Sequence, residues 1–306
     1  MPETTDPTRA TSLSLGRKTF VGISATAAAL GSAFATALAQ GAELGKPHPP
    51  IVPDDDPAIT TARPTITYGT RTIDAYYAAA KNARPNAPAV VVVQAIWGVD
   101  AQLRDVVRRF AKEGYIAIAP DLYTGLGAPS GDGATDFAPF RDVAAKLSDD
   151  VVDADLAAAA DFVRAGAPNG RREKIGVVGF CMGGGITLRQ AVDNAATFAA
   201  ASVFYGKVRY GTTDDNKGTI TPIALDYASS IGTPIAGSWG ERDTSILPAD
   251  VRALDAKLTG LAKPHEFRVY EGAGHAFFDD TRESYVPSAA ADAWSRTLAW
   301  FGEYLK

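Results

Sequence analysis

Gly179-Phe180-Cys181-Met182-Gly183 sets the single cysteine of this 306-residue chain between two glycines. The pattern follows an apolar run, Ile175-Gly176-Val177-Val178, and precedes a segment that suits a helix from about Gly183. A nucleophile on a sharp strand-to-helix turn needs small neighbours, because the two elements approach closely, and its side chain projects above the carboxyl edge of a sheet. The helix N-terminus favours negative charge and lowers a thiol pKa. A buried structural cysteine is the plain alternative, but it gives no reason for Gly179, Gly183, Gly184 and Gly185 to surround the thiol. A phosphate loop fits poorly, since G-x-G-x-x-G is not met and no Lys-Ser/Thr pair follows.

A thiol nucleophile needs a base, and the base needs an orienting acid. Of the three histidines, two lie downstream of Cys181. His275 stands in Gly272-Ala273-Gly274-His275-Ala276-Phe277, just past the apolar run Phe267 to Tyr270, where an exposed loop imidazole belongs. His265 precedes that run and is expected at the opposite edge of the sheet, on the surface. For the acid, Trp239-Gly240-Glu241-Arg242-Asp243 ends in Asp243, reached by a short turn, with Glu241 and Asp226 as competitors. The chain order nucleophile, acid, histidine suits this kind of turn. The chemistry is acyl transfer. The developing oxyanion would need backbone N–H groups, one from Met182 and one near Ile96. Trp97, Tyr123, Tyr205 and Phe277 are candidates for an aromatic pocket, with core packing as their alternative.

The elements that would hold these residues alternate in type. Ala89 to Gln94, Tyr115 to Ala119, Ile175 to Gly179, Ala200 to Tyr205, Thr233 to Ser238 and Phe267 to Tyr270 read as strands, mostly continuous apolar runs of the kind a sheet buried on both faces requires. Between them, Leu103, Val106, Val107 and Phe110 follow the possible N-cap Asp100 at helical spacing. Residues 147–165, 249–262 (Val251, Leu254, Leu258 and Leu261 on one stripe) and 289–304 also read as helices. Alternation of this kind predicts a mostly parallel sheet with helices on both faces. Thr65 to Tyr68 and Thr72 to Ala79 read as an antiparallel pair, and the Gly-, Ser- and Asp-rich residues 124–136 as a surface loop near the strand ends.

The N-terminus reads differently. Arg9, Arg17 and Lys18 precede an uncharged run, Val21 to Ala39, that ends Ala37-Leu38-Ala39. That reads as an export signal cleaved after Ala39, with a periplasmic or secreted product expected and a retained anchor or a plain disordered tail as the alternatives. Gly16-Arg17-Lys18-Thr19-Phe20-Val21 is similar to a twin-arginine signal with its second arginine replaced by lysine, so Tat-like and Sec routes both stay open. Residues 40–64, rich in proline, read as a linker, and residues 65–306 as the folded domain. The chain is 46% hydrophobic and 21% charged, with net charge −5 and no Lys/Arg block, which argues against a nucleic-acid partner. One cysteine and three histidines supply no metal-ligand spacing. The expected partner is a small ester or lactone, with no cofactor, acting on a monomer that meets a membrane only through its export signal.

Taken together, Gln94-Ala95-Ile96-Trp97-Gly98-Val99, Ala119-Pro120-Asp121-Leu122-Tyr123, Gly179-Phe180-Cys181-Met182-Gly183-Gly184, Gly240-Glu241-Arg242-Asp243, Gly274-His275-Ala276-Phe277 and Ser284 to Ala290 resemble the dienelactone hydrolase (carboxymethylenebutenolidase) family over about residues 65–304. The resemblance implies an α/β-hydrolase fold, a Cys181–His275–Asp243 triad and an oxyanion hole from the Ile96 and Met182 amides. Three departures carry information. Family members that open dienelactone have a glutamate, contacting the thiol, where this chain has Ala95; its absence predicts a direct and persistent Cys181–His275 pair. Arginines that grip a carboxylated lactone are replaced by Gly125 and Asp279, which predicts a preference for neutral esters or lactones. An acyltransferase with the same triad and a non-catalytic exported binding protein are the competing expectations.

Overall fold

The computed structural model describes residues 48–166, 174–208 and 225–305; the expected export signal lies outside them. Among the described residues nine strands form one sheet: β1 (Ile59–Ala62), β2 (Thr65–Tyr68), β3 (Arg71–Ala80), β4 (Ala89–Val93), β5 (Ile116–Pro120), β6 (Ile175–Phe180), β7 (Ala200–Phe204), β8 (Ile235–Gly240) and β9 (His265–Tyr270). Their order is β1-β3-β5-β4-β6-β7-β8-β9, with β2 paired on β3. β1, β2 and β5 each run antiparallel to β3, and from β5 through β4 to β9 every pair is parallel. The central strands are buried at every position because both faces are covered; β4, Ala-Val-Val-Val-Val, combines that burial with β-branched side chains that favour an extended backbone.

The helices are α1 (Ala101–Lys112), α2 (Ala138–Ala144), α3 (Asp149–Ala165), α4 (Met182–Asp193), α5 (Pro248–Gly260) and α6 (Pro287–Tyr304). Helix α1 starts where the sequence predicts, because Asp100 Oδ1 accepts from Leu103 N at 2.9 Å. Phe110 of α1 packs on Trp294 and Phe301 of α6. On the other face Arg189 of α4 pairs with Asp149 and Asp153 of α3. Among the described residues no helix is long and apolar enough to cross a membrane.

Two expectations need correction here. The stretch expected as linker over 40–64 belongs to the folded body from His48 onward. Asp105 of α1 accepts the backbone N–H groups of Ile51 and Val52 at 2.8 Å, Val52 is buried, and β1 lies inside the stretch. Prolines interrupt regular ladders but allow the four-residue β1 between Pro57 and Pro64 and docking onto a neighbouring helix. Leu261, placed on the apolar stripe of α5, is exposed, because the helix ends at Gly260 and the chain turns away.

Candidate active site

Cys181 occupies the single residue between β6 and α4, with φ 55° and ψ −115°. A non-glycine residue at positive φ is strained, and such strain collects at functional turns. The flanking glycines are required by contact. A Cβ on Gly179 would meet the Gly183 carbonyl oxygen at 2.1 Å, and one on Gly183 would meet the Gln94 carbonyl oxygen at 2.4 Å. Helix α4 is thereby pressed against the ends of β4 and β6, and the thiol stands at the carboxyl edge of the sheet.

The ends of β8 and β9, beyond β7 in the sheet order, supply its partners. Asp243 follows β8, with its side chain fully buried. Its Oδ1 accepts from the N–H groups of Ser245 and Ile246 at 2.8 and 3.0 Å, which fixes the carboxylate in its turn. Its Oδ2 lies 2.7 Å from His275 Nδ1. The loops carrying the two residues touch, since Arg242 N donates to the Ala273 carbonyl at 2.8 Å. His275 Nε2 then lies 3.1 Å from Cys181 Sγ. A carboxylate accepts only, so Nδ1 carries the hydrogen toward Asp243 and Nε2 faces sulfur. The imidazole edge also meets Tyr205, at 5.2 Å between ring centres.

Charge settles on this line in a definite way. Burial pushes the Cys181 thiol up, but the hydrogen bond and charge of His275, aided by the Met182 N–H, leave it lowered. Burial pushes His275 down, yet Asp243 and Cys181 together raise it to about 10. Both shifts run in the direction that favours the proton on the imidazole over the proton on sulfur.

Of the sequence candidates, Cys181, His275 and Asp243 come together in one hydrogen-bonded line. Glu241 instead accepts from Gly272 N at 3.1 Å, and the side chain of Asp226 lies outside the described residues. His265 is at the opposite strand end as expected, but it is partly buried rather than on open surface, packed on Phe267 and 3.3 Å from Asp255. Ile96 lies in the turn after β4, closed by Gly98 N to the Ala95 carbonyl at 3.2 Å. Tyr205 is buried and takes φ 39° beside His275. Phe277 is fully buried against Tyr205 and Tyr270, which is core packing. Trp97 is covered by Phe137 and by the Arg282 guanidinium, 4.0 Å from its ring centre. Arg282 escaped the sequence reading. Its Nε pairs with Asp279 at 3.0 Å and its Nη1 donates to the Ala134 carbonyl at 3.1 Å, tying the loop of residues 124–136 to that of His275. The i,i+3 spacing of Asp279 and Arg282 was the available signal. Among the described residues no group of three or more His, Cys, Asp or Glu side chains could hold a metal.

A mostly parallel sheet with a strained cysteine turn after β6, a buried carboxylate after β8 and a histidine after β9 is the arrangement of an α/β-hydrolase. Residues 73–305 match the model of the dienelactone hydrolase family, and the chain belongs to that family of ester- and lactone-cleaving hydrolases. It is 36% identical over 258 residues to a Salmonella typhimurium protein named "Putative carboxymethylenebutenolidase", covering 84% of this chain and 92% of the relative. An Escherichia coli protein of the same name is 36% identical over 256 residues, covering 83% and 91%. The crystal structure titled "Putative Dienelactone Hydrolase" from Klebsiella pneumoniae superposes with TM-score 0.72 at 36% identity, over 81% of this chain and all of that one.

Proposed function

We propose that the chain hydrolyses carboxylic esters or lactones through a thioester on Cys181, with His275 as proton carrier and Asp243 as its orienting acid. The observation that carries this reading is the continuous line from Asp243 Oδ2 through His275 to Cys181 Sγ, at 2.7 and 3.1 Å. The thiolate adds to the carbonyl carbon, forming the C–S bond and a tetrahedral oxyanion. The Ile96 and Met182 amides hold that charge. As the C–O bond breaks, His275 gives its proton to the leaving oxygen; in a lactone the alcohol stays tethered. Water then loses a proton to His275 and attacks the thioester, releasing the carboxylic acid and restoring the thiolate. With Ala95 in the turn, nothing at that position competes with His275 for the sulfur, so the ion pair persists between turnovers.

The preferred substrates are neutral. Gly125 offers no donor, Asp279 is an acid, and Arg282 is engaged by Asp279, Ala134 and the Trp97 ring. Comparing kcat/KM for a neutral short-chain aryl ester with that for dienelactone tests this. The neutral ester should win, and a large preference for dienelactone would refute the proposal. A panel of fluorogenic esters tests the nucleophile. Cys181→Ala should lose about 10⁴-fold or more of turnover, and activity surviving that change would remove the thiol from the mechanism. Residues 1–39 are proposed as an export signal, checked by N-terminal sequencing of the exported protein for a start at Gln40.

A further inference from the structure

The hydroxyl of Tyr123 is engaged by the protein's own backbone. Tyr123 is buried, held after β5 by its own N–H to Asp121 Oδ1 at 2.9 Å. The preceding Leu122 N–H donates to Gln94 Oε1 at 3.1 Å, so this loop is fastened to the end of β4. From there the Tyr123 hydroxyl donates to the Ile96 carbonyl at 2.9 Å and lies 3.8 Å from Met182 Sδ. It therefore touches both residues whose amides the acyl-transfer reading assigns to the oxyanion. Its ring packs where Gly98 lacks a side chain, since a Cβ there would stand 3.4 Å from Tyr123 Cδ2.

The Ala95–Gly98 turn is closed by one bond, Gly98 N to the Ala95 carbonyl. Its central peptide, joining Ile96 to Trp97, is the unit that can rotate without breaking that bond; the common turn types differ by such a rotation. The Ile96 carbonyl belongs to this peptide and is held by Tyr123, while the Ile96 N–H lies on the preceding peptide, whose Ala95 carbonyl is held by Gly98 N; together the two bonds tie both peptides that flank Ile96. We propose that Tyr123 is a positioning residue for oxyanion binding: its hydroxyl locks the turn so that the Ile96 N–H is aimed before the reaction begins. The proposal rests on the acyl-transfer reading. It follows from it that Tyr123 acts on the step in which charge develops on oxygen and leaves the thiol pair alone. Burial and the nearby Cys181 sulfur raise the phenol pKa, so the hydroxyl keeps its proton throughout the working range.

Tyr123→Phe keeps the ring and its packing and removes only the oxygen, and a thermal melt checks that the variant is folded. Three quantities are then compared with the unchanged protein: ester kcat and KM, affinity for an aldehyde inhibitor, and the rate of Cys181 alkylation by iodoacetamide. The aldehyde adds the thiol across its C=O to give a hemithioacetal oxygen in the oxyanion position, whereas alkylation displaces iodide and develops no oxyanion. Expected is a fall in kcat of about 10- to 100-fold, smaller than deleting a donor outright, with KM within about twofold. Aldehyde affinity should fall in parallel and alkylation should stay unchanged. Unchanged kcat and aldehyde affinity would overturn the proposal, as would alkylation falling together with them, which would mean a disturbed thiol pair. Failure of the acyl-transfer reading itself shows separately, as ester turnover that survives Cys181→Ala.

Discussion

Two buried lines of ionisable groups lie a few residues apart and end differently. In the first, Asp243 is held by two backbone N–H groups, then meets His275, which meets Cys181. In the second, Asp105 is likewise held by two backbone N–H groups, from Ile51 and Val52, and meets Arg109 at 2.5 Å, which meets Asp280. Both begin with a carboxylate fixed by amides. The second ends on another buried carboxylate, which His48 also approaches at 3.5 Å, so its guanidinium is closed in by acid at both ends. The first ends on a half-buried thiol, and its middle member can gain and lose a proton. The same device therefore serves two purposes. Closed at both ends, it ties residues 48–56 and the loop after His275 onto α1; open at one end on a thiol, it offers a candidate site.

That contrast can be broken from either side. The largest expected effect is on the open line. Asp243→Asn should lower kcat by about 10³- to 10⁴-fold, because the imidazole loses the anion that holds its tautomer and its charge, while the melting temperature changes little. Steady-state kinetics with a thermal melt check this, and a variant that unfolds instead would make Asp243 a structural acid. Next, Asp280→Asn leaves Arg109 with one buried carboxylate in place of two. It should destabilise the fold by about 1–3 kcal/mol, seen in urea unfolding, with Cys181 alkylation in the folded fraction unaltered. Reactivity that fell in step with stability would show that the two lines are one network.

The smallest effect, and the sharpest, is on titration. A thiol whose pKa is lowered stays ionised as pH falls until that lowered value is passed. Alkylation of Cys181 should therefore rise through an inflection below the ordinary thiol value and then hold level. A second change is expected near pH 10, where His275 gives up its proton. His275→Gln should move the first inflection upward, because burial is then opposed by the Met182 N–H without the imidazole.

Much of this was legible in the sequence for a physical reason. Strands buried on both faces must be apolar throughout, so β4, β5 and β6 announce themselves. A strand-to-helix turn too tight for side chains leaves glycines on either side of Cys181. A late loop histidine and an acid after the preceding strand follow from that turn. Less legible were contacts decided by distant partners. The proline-rich residues 48–64 look unstructured locally, and Asp105 and Arg108 of α1 bind them through backbone N–H and carbonyl groups that no pattern encodes. Tyr123 and Phe277 read alike as aromatic candidates, yet one donates to the Ile96 carbonyl and the other fills the core. Residue type gave the ring in each case and could not give the partner.

The central claim is that Cys181 carries the acyl group. Mixing the protein with a neutral aryl ester, quenching in acid within milliseconds and weighing the intact chain by mass spectrometry tests it directly. The account predicts an added acyl mass, mapped to the peptide containing Cys181 and absent from Cys181→Ala. Continued turnover with the acyl mass on another residue would contradict it.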